Sequence, residues 1–545
     1  MSGGSGTAGL LAQLRDDLGY RRIGQGIRRL ESVRPALEAL EPGGKDSGVL
    51  VGLLAQWVDA GFDGLEALRR LVAGFPVSVR TDLPLLDYLH LRMAEGMLAM
   101  SEEDLGRAAE HFRFVQSLEG EVSDAELLAI ANFWTGRCLR KTGRYDDAEN
   151  YIVRGEELAL SCGYLQMAAI MQTARSWLAF QRGKLHDALA ILRRAEEALG
   201  GTDDFLSRGN IQSAYGRIAR RQGRYQVALE AFERAIGEYR QAGGEPLQYA
   251  RALMNLAFVQ RLLALEMQKE WDRLSTSRRS AKEEAAQTGR ERRLAIERLR
   301  RDAGDHLEEA MVLYAGHHNH RGIAGVHINR GFLHLDSGDL ECAAAESAEA
   351  YRHGSEKSDY LVMARARILQ CIVENAALEE QIGDSARHQE AAEAFAREAV
   401  EFAGQTQNRR LTARASVWQG LTYCGGPYRD LEAARRCCDK AIALLQPDSS
   451  ERQYVWEELE TLKARVLHAS PVDPLLRAWS AGIVQEKSFQ ELTEEFARIV
   501  IPKVWEHEGR KVSRVAEKLS ISPKKVRRIL QRAGLAEPPA ARPGE

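Results

Sequence analysis

The chain has 545 residues, 44% of them hydrophobic, enough for a long core or several domains. Its net charge of −3 is uneven: residues 509–545 hold 10 Lys+Arg against 3 Asp+Glu, and the other 508 hold 65 against 75. A basic tail on an acidic body points to nucleic-acid contact at one end only, and the absence of any run near 18 uncharged apolar residues excludes a membrane-spanning helix.

Residues 1–9 are rich in Gly and Ser, without the basic region and apolar run of a secretory signal, and read as a disordered tail. Residues 10–80 have helical patterning and read as an N-terminal cap. From 81 onward the sequence repeats. Gly143-Arg-Tyr-Asp-Asp-Ala148 recurs as Gly183-Lys-Leu-His-Asp-Ala188 and as Gly223-Arg-Tyr-Gln-Val-Ala228, 40 residues apart each time. Degenerate copies are Glu103-Asp-Leu-Gly-Arg-Ala108 and Gly338-Asp-Leu-Glu-Cys-Ala343.

The physical logic is a pair of helices. The Gly breaks helix A by taking the turn conformation, the Tyr or Leu plugs the gap, and the Ala lets helix B approach. Helix B carries a large residue four later, at Phe112, Ile152, Leu192 and Phe232. Helix A carries a small one seven before the turn, at Gly136, Ser176, Gly216 and Gly331. This pattern resembles the tetratricopeptide (TPR) repeat, whose usual period is about 34 residues; the longer period implies longer helices. The resemblance is strongest over 81–245, fair over 320–355 and degenerate over 360–445, with Tyr423–Ala434 as a last copy. It implies an all-α, TPR-like α-solenoid over 81–470, with a concave groove lined by helix A.

Within that register Arg137, Arg140, Arg217, Arg220, Arg251 and Arg261 are groove candidates, with Met93, Met97, Trp177 and Phe180. Asn255 and Asn329 lie two before the small residue of helix A. In TPR proteins that hold extended peptides an Asn there clasps the peptide backbone, and the resemblance implies the same here; an intra-repeat hydrogen bond is the plainer use of that amide. One repeat is interrupted: Leu247–Leu265 reads as helix A and Gly304–Tyr314 as helix B. Between them, 266–303 holds 11 Lys+Arg and 8 Asp+Glu. This insertion reads as a solvated helical extension or a mobile loop; the sharper alternative is a partner- or DNA-touching finger using Arg290, Arg292, Arg293, Arg298, Arg300 and Arg301.

Gly316-His-His-Asn-His320, with His327 and His334 beyond, reads as a polar turn rather than a metal site. The seven cysteines include no C-x-x-C pair, which argues for a reducing cytoplasm, with Cys437–Cys438 as small core residues rather than a redox sensor. No Walker A loop, G-x-S-x-G or H-E-x-x-H occurs, so no enzyme and no cofactor are expected.

The C-terminal region, 474–535, comprises a linker and a small domain, followed by a second tail at 536–545. Ser488-Phe-Gln-Glu491 is a capping-box signature, and Pro502 is expected to end or kink the helix that follows. Gly509 ends a helix, Val512–Leu519 is a short helix, and Ser520-Ile521 is a tight turn. Ser522 caps a second helix that has Pro523 at its first position and Gly534 as its stop. Val515, Ala516, Leu519, Ile521, Val526, Ile529 and Leu530 form the mutual packing face, leaving Lys524, Lys525, Arg527, Arg528, Gln531 and Arg532 outward. Such a helix matches the width and acceptor-rich edges of a major groove.

The stretch resembles the Fis-type helix-turn-helix at Gly509, Arg514, Ala516, Leu519, Ile521, Leu530, Gly534 and Leu535. It departs from that family at Arg510, where the pattern has Asn, at Val515, where it has Ala, and at Ser520, where it has Gly. The resemblance implies that Ser522, Lys524, Lys525, Arg527 and Arg528 face DNA, with Arg514 and Arg532 near phosphates; Arg510 and Lys511 add to the same basic surface. The expected whole is a cytoplasmic transcriptional regulator, homodimeric on double-stranded DNA, whose groove takes a peptide, small molecule or protein ligand. The alternative is a TPR scaffold anchored through its basic end.

Overall fold

A computed structural model describes residues 4–243, 246–277, 282–425, 429–445, 454–469, 488–533 and 535. Among them every regular element is an α-helix, and the chain divides into two compact units, 1–462 and 463–545.

The first unit opens with α1 (Gly4–Gly19), α2 (Ile23–Glu38), α3 (Ser47–Asp59), α4 (Leu65–Ala73) and α5 (Val77–Asp82). Helix thus begins at Gly4, inside the expected 1–9 tail, and α1 buries Leu11, Leu14 and Leu18. Antiparallel pairs then follow at a constant step: α6 (Leu85–Ser101) with α7 (Leu105–Ser117), α8 (Ala125–Lys141) with α9 (Tyr145–Ser161), α10 (Leu165–Gln181) with α11 (Leu185–Leu199), and α12 (Phe205–Arg221) with α13 (Tyr225–Gln241).

The repeat residues do what their chemistry requires. Gly143, Gly183, Gly223 and Gly338 take φ of +84°, +85°, +74° and +78°, where a Cβ is penalised. Ala148, Ala188 and Ala228 have no exposed surface, nor do Phe112, Ile152, Leu192 and Phe232. A Cβ on Gly136 would stand 2.5 Å from Ile152 Cγ1, so only a hydrogen fits at that crossing. Ser176 fills the equivalent place and donates its hydroxyl to the Ala188 carbonyl at 2.8 Å.

The charged insertion is not a loop between two ordinary helices. It prolongs both partners of one pair, α14 (Pro246–Ser277) and α15 (Lys282–Gly316). Ile296 is buried against the partner helix side of this pair and Leu294 is exposed, consistent with too little apolar surface for a coiled-coil seam. Arg292 pairs with Glu270 across the two helices at 3.1 Å. The array continues through α16 (His320–Asp336), α17 (Leu340–Glu356), α18 (Tyr360–Glu379), α19 (Ser385–Gly404), α20 (Arg409–Cys424), α21 (Leu431–Leu444) and α22 (Tyr454–Ala469). Cys437 and Cys438 are buried in α21, and burial pushes the Cys437 thiol up to about 11, the opposite of a reactive thiolate.

The superhelix winds until late turns meet early ones. The Glu103 carboxylate, in the α6–α7 turn, accepts from Asn319 Nδ2 at 2.7 Å and pairs with the His320 ring, 217 residues away. Gln407 donates its backbone N–H to the Gly143 carbonyl at 2.9 Å. Asn408 reaches the Tyr145 hydroxyl at 3.2 Å. Near the amino end, Arg21 binds Asp204 at 2.7 Å, closing α1–α2 onto the start of α12. Sequence periodicity foresees none of these pairings.

The second unit contains α23 (Phe489–His507), α24 (Val512–Lys518) and α25 (Pro523–Arg532). The Ser488 capping box is present, with Ser488 N donating to Glu491 Oε2 at 2.8 Å. The helix does not end at Pro502: it runs unbroken to His507, the proline costing one internal hydrogen bond while Ile501, Val504 and Trp505 anchor its flank in the core. That core comprises Ile501, Val515, Ala516, Val526, Ile529 and Leu530, with Leu519 and Ile521 at its rim. The expected stop at Gly534 and the tail at 536–545 lie outside the described residues.

Candidate functional site

Two sites carry concentrated charge, one in each unit. The first is a hollow of about 1170 Å³ within the array, lined by A helices from most of the pairs. Met97, Trp177, Phe180, Arg137, Arg140, Arg217, Arg220, Arg251, Asn255 and Asn329 all line it, as the helix-A register expects. Met93 and Arg261 do not. Met93 is fully buried in the core. Arg261 makes a two-pronged pair with Asp336, at 2.6 and 2.8 Å, and stacks on Phe332 at 4.7 Å.

The lining arginines differ in how they are satisfied. Arg137 is neutralised by Asp59, which also accepts from Trp134 Nε1 at 3.0 Å. Burial opposes ionisation of Asp59, but Arg137 outweighs it and holds the carboxyl below its usual range. Arg140 has no acid partner; its guanidinium lies over Trp177 at 4.9 Å and its Nε has no hydrogen-bond partner. Among the described residues Arg217 hydrogen-bonds the Ser213 hydroxyl, at 3.2 Å, and pairs with no acid. Burial, then the nearby Arg251, Arg137 and Arg217, pushes Arg140 down to about 9. Burial likewise pushes Arg217 down to about 10 and Lys141 to about 8, the latter with Arg137, Arg251 and Arg321 adding repulsion.

Lys141, Arg321 and Arg365 also line the hollow, and the repeat register does not single them out. Lys141 directly follows Arg140 at the end of α8, a doubling that is the available signal. Arg321 and Arg365 lie in late repeats, brought here by the superhelical turn.

The two asparagines spend their amide nitrogen locally. Asn255 Nδ2 donates to the Arg251 carbonyl and Asn329 Nδ2 to the Gly325 carbonyl, both at 2.7 Å. Asn255 Oδ1 also accepts from Arg220 at 3.2 Å.

The histidine run divides among separate acids. His317 and His318 form the turn before α16. His320 pairs with Glu103 and Asp359, His327 with Glu346, and His334 with Asp339. His327, Glu349 and His353 do bring one donor atom each within 4.8 Å of one another, on partly exposed surface.

The second site is the outer surface of α24–α25. All ten residues expected there are exposed: Arg510, Lys511, Arg514, Ser522, Lys524, Lys525, Arg527, Arg528, Gln531 and Arg532. Ser522 caps α25 by accepting from Lys525 N at 3.3 Å, and Pro523 takes the first helical position. Val526, Ile529 and Leu530 fix the opposite face in the core, which determines the face that projects. Arg532 approaches Glu494 at 3.9 Å and Arg510 lies over Trp505 at 5.7 Å.

No described helix is long and apolar enough to cross a membrane. No family model matches the chain, and no curated protein matches it. Among solved structures, a Rap protein complexed with competence and sporulation factor is similar over 74% of this chain and 99% of its own, at 12% identity and a TM-score of 0.52. A signal transduction ATPase with numerous domains, carrying a tetratricopeptide-repeat sensor and coming from Pyrococcus horikoshii, is similar over 76% of this chain and 57% of its own, at 12% identity and a TM-score of 0.36. The likeness to the Rap protein shows the fold: the array is an all-α, TPR-like solenoid.

Proposed function

We propose that the chain is a DNA-binding regulator. Its TPR-like array senses a ligand (a peptide, small molecule or protein), and its C-terminal three-helix module reads double-stranded DNA. The observation that supports this most directly is the outer face of α25. Lys524, Lys525, Arg527 and Arg528 stand exposed on one short helix whose other face is locked into a core. A helix held this way presents cations to phosphates and base edges at fixed spacing, and the cap at Ser522 leaves its amino end free to approach a groove. Arg514 on α24 is placed for a flanking phosphate. One such module reads half a site, so the working form is a homodimer. The reading assigns no chemical step to the chain and locates it in the cytoplasm.

The test is fluorescence anisotropy of the full chain on duplex DNA. If about six cations neutralise phosphates, affinity falls on the order of 10³-fold between 50 and 200 mM salt. Binding that ignores salt, or that is unchanged in Lys524→Gln/Arg527→Gln/Arg528→Gln, overturns the reading.

A further inference from the structure

The hollow of the array gathers positive charge from several helices. Twelve Lys and Arg side chains line it; Arg21, Arg137, Arg321 and Arg414 are answered by Asp204, Asp59, Asp359 and Glu458, while Arg140, Lys141, Arg217 and Arg251 pair with no acid among the described residues. Asp59 is taken by Arg137 and Glu103 by His320. Helix dipoles do not supply the missing negative charge at every position. Arg140 and Lys141 close α8, where a cation is favoured, but Arg251 and Arg365 lie beyond the first turns of α14 and α18, where the dipole gives them no help. Their side chains come from different helices, yet Arg140, Arg217 and Arg251 lie near enough to repel one another. A cluster of partly desolvated like charges is a standing cost unless something of opposite charge is bound for part of the time.

Stacking holds part of this cluster in place. Arg140 lies over Trp177 at 4.9 Å and Arg220 over Phe258 at 4.7 Å. A ring face orients a guanidinium plane without neutralising it, so Arg140, which lines the hollow with its Nε unbonded, keeps its charge unanswered there.

We infer that the hollow binds a compact organic phosphate of nucleotide size, with its phosphate oxygens on Arg140, Lys141, Arg217 and Arg251 and its body against the aromatic wall near Trp177 and Phe258. Phosphate fits for two reasons. It concentrates two or more charges within one group, as a convergent cluster requires, and it accepts several guanidinium forks at once. An extended acidic peptide spreads its charges along a backbone at about 3.3–3.6 Å per residue. It would also need backbone clasps, and Asn255 and Asn329 each spend one of their two amide N–H groups within their own helix. The volume, about 1170 Å³, admits a nucleotide-sized molecule.

The inference rests on the array being the sensing part of the proposed regulator, and its test is kept independent of DNA. The full chain is titrated calorimetrically with ATP, inorganic tripolyphosphate and hexaglutamate. ATP or tripolyphosphate is expected to bind at one molecule per chain and to raise the melting temperature, with hexaglutamate at least about tenfold weaker. Arg140→Gln/Arg217→Gln is expected to weaken binding about 30-fold, as when one or two charge-assisted hydrogen bonds are removed. Without ligand the same variant is expected to melt about 1–2 °C higher than the parent, because repulsion is relieved. Should it fail to fold, Arg251→Gln on an exposed position replaces it and is expected to weaken binding as well. Lys524→Gln/Arg528→Gln is expected to bind ATP as the parent does.

The inference is overturned if neither phosphate binds, if hexaglutamate binds as tightly, or if the array variants keep full affinity. It is also overturned if only the C-terminal variant loses binding. A chain that binds ATP but no DNA keeps this inference and loses the DNA-reading proposal; the converse result does the reverse.

Discussion

The array and the C-terminal module each hold cations that pair with no described acid, Arg140 and Arg217 in the one and Lys524, Lys525, Arg527 and Arg528 in the other, but they do so in different dielectric surroundings. In the module the cations stand in solvent on α25, where each is hydrated and screened within about 8–10 Å. Such a face costs the free protein little and yields affinity only when a polyanion arrives. In the array Arg140 and Arg217 look into a hollow walled by aromatic rings, and Arg217 adds to the repulsion that weakens Arg140. There the charge costs stability that a bound compact anion would offset. An outer patch suits a long polymer with a regular charge spacing; an inner cluster suits one compact anion.

The largest effect that follows concerns the outer face. Lys524→Gln/Arg527→Gln/Arg528→Gln is expected to lower affinity for duplex DNA by at least about 10²-fold, and to lower the salt slope by about one for each phosphate that is no longer neutralised. Its melting temperature is expected to stay with that of the parent, since these exposed side chains pair with no acid among the described residues. A large fall in stability in thermal melts would show that α25 uses its cations internally, and the contrast with the array would fail.

A second prediction tests whether the inner hollow depends on closure of the superhelix. Burial disfavours the charged His320 ring, but Asp359 and Glu103 outweigh it and raise its pKa. The same pairing holds Glu103 below its usual range, with Lys141 assisting, and Asp359 down to about 2, with Arg321 assisting. The raised histidine contributes fully below its unfolded value of about 6.5, and its contribution fades as pH rises through its folded value. The depressed carboxylates contribute above about 4.5, and theirs fades as pH falls. The seam is therefore tightest between about pH 4.5 and 6.5. His320→Ala is expected to destabilise the array by about 1–3 kcal/mol, because it removes a group shared by a buried and a part-buried carboxylate, leaving Asp359 to Arg321 and Glu103 to Asn319. It is also expected to flatten the alkaline limb of melting temperature against pH. An unchanged pH profile would detach the seam from array stability.

How much of this is legible in the sequence follows from the range of each interaction. Gly143, Tyr145 and Ala148 work within one turn and one helix crossing, so their spacing exposes the pairs directly. The module is legible for the same reason: Ser522, Pro523 and the Val526/Ile529/Leu530 stripe act locally. The seam is hidden because Glu103 and His320 are 217 residues apart and no period encodes how far a superhelix winds before it meets itself. Arg261 shows the same limit within the site. Its register matches that of the groove arginines, yet Asp336, 75 residues on, removes it by pairing. The insertion at 266–303 is ambiguous in sequence because its charges suit a solvated helix and a loop equally.

A smaller effect separates the two charge clusters by salt. If the outer site counts released counterions and the inner site binds one compact anion, raising salt from 50 to 200 mM is expected to weaken DNA binding on the order of 10³-fold but ATP binding only about tenfold. Parallel slopes would place both ligands on the same exposed cations.

The smallest expected effect returns to the departures of the module from the Fis-type pattern. Two of the three, Arg510 and Ser520, fall on left-handed backbone, with φ of +62° and +50°. The family has Asn and Gly at those places, the residues that tolerate this region best, so the departures add strain without altering the fold. Ser520 is exposed and stands in the turn between α24 and α25. Ser520→Gly is therefore expected to stabilise the turn by about 0.5–1 kcal/mol, strain relief exceeding the extra entropy of glycine in the unfolded chain. In hydrogen exchange of the full chain, amide protection across Val512–Arg532 should rise about 2- to 5-fold while DNA affinity holds. A fall in protection would mean that the serine hydroxyl, rather than backbone shape, holds the turn. The two helices would then depend on an interaction that the Fis-type pattern does not include.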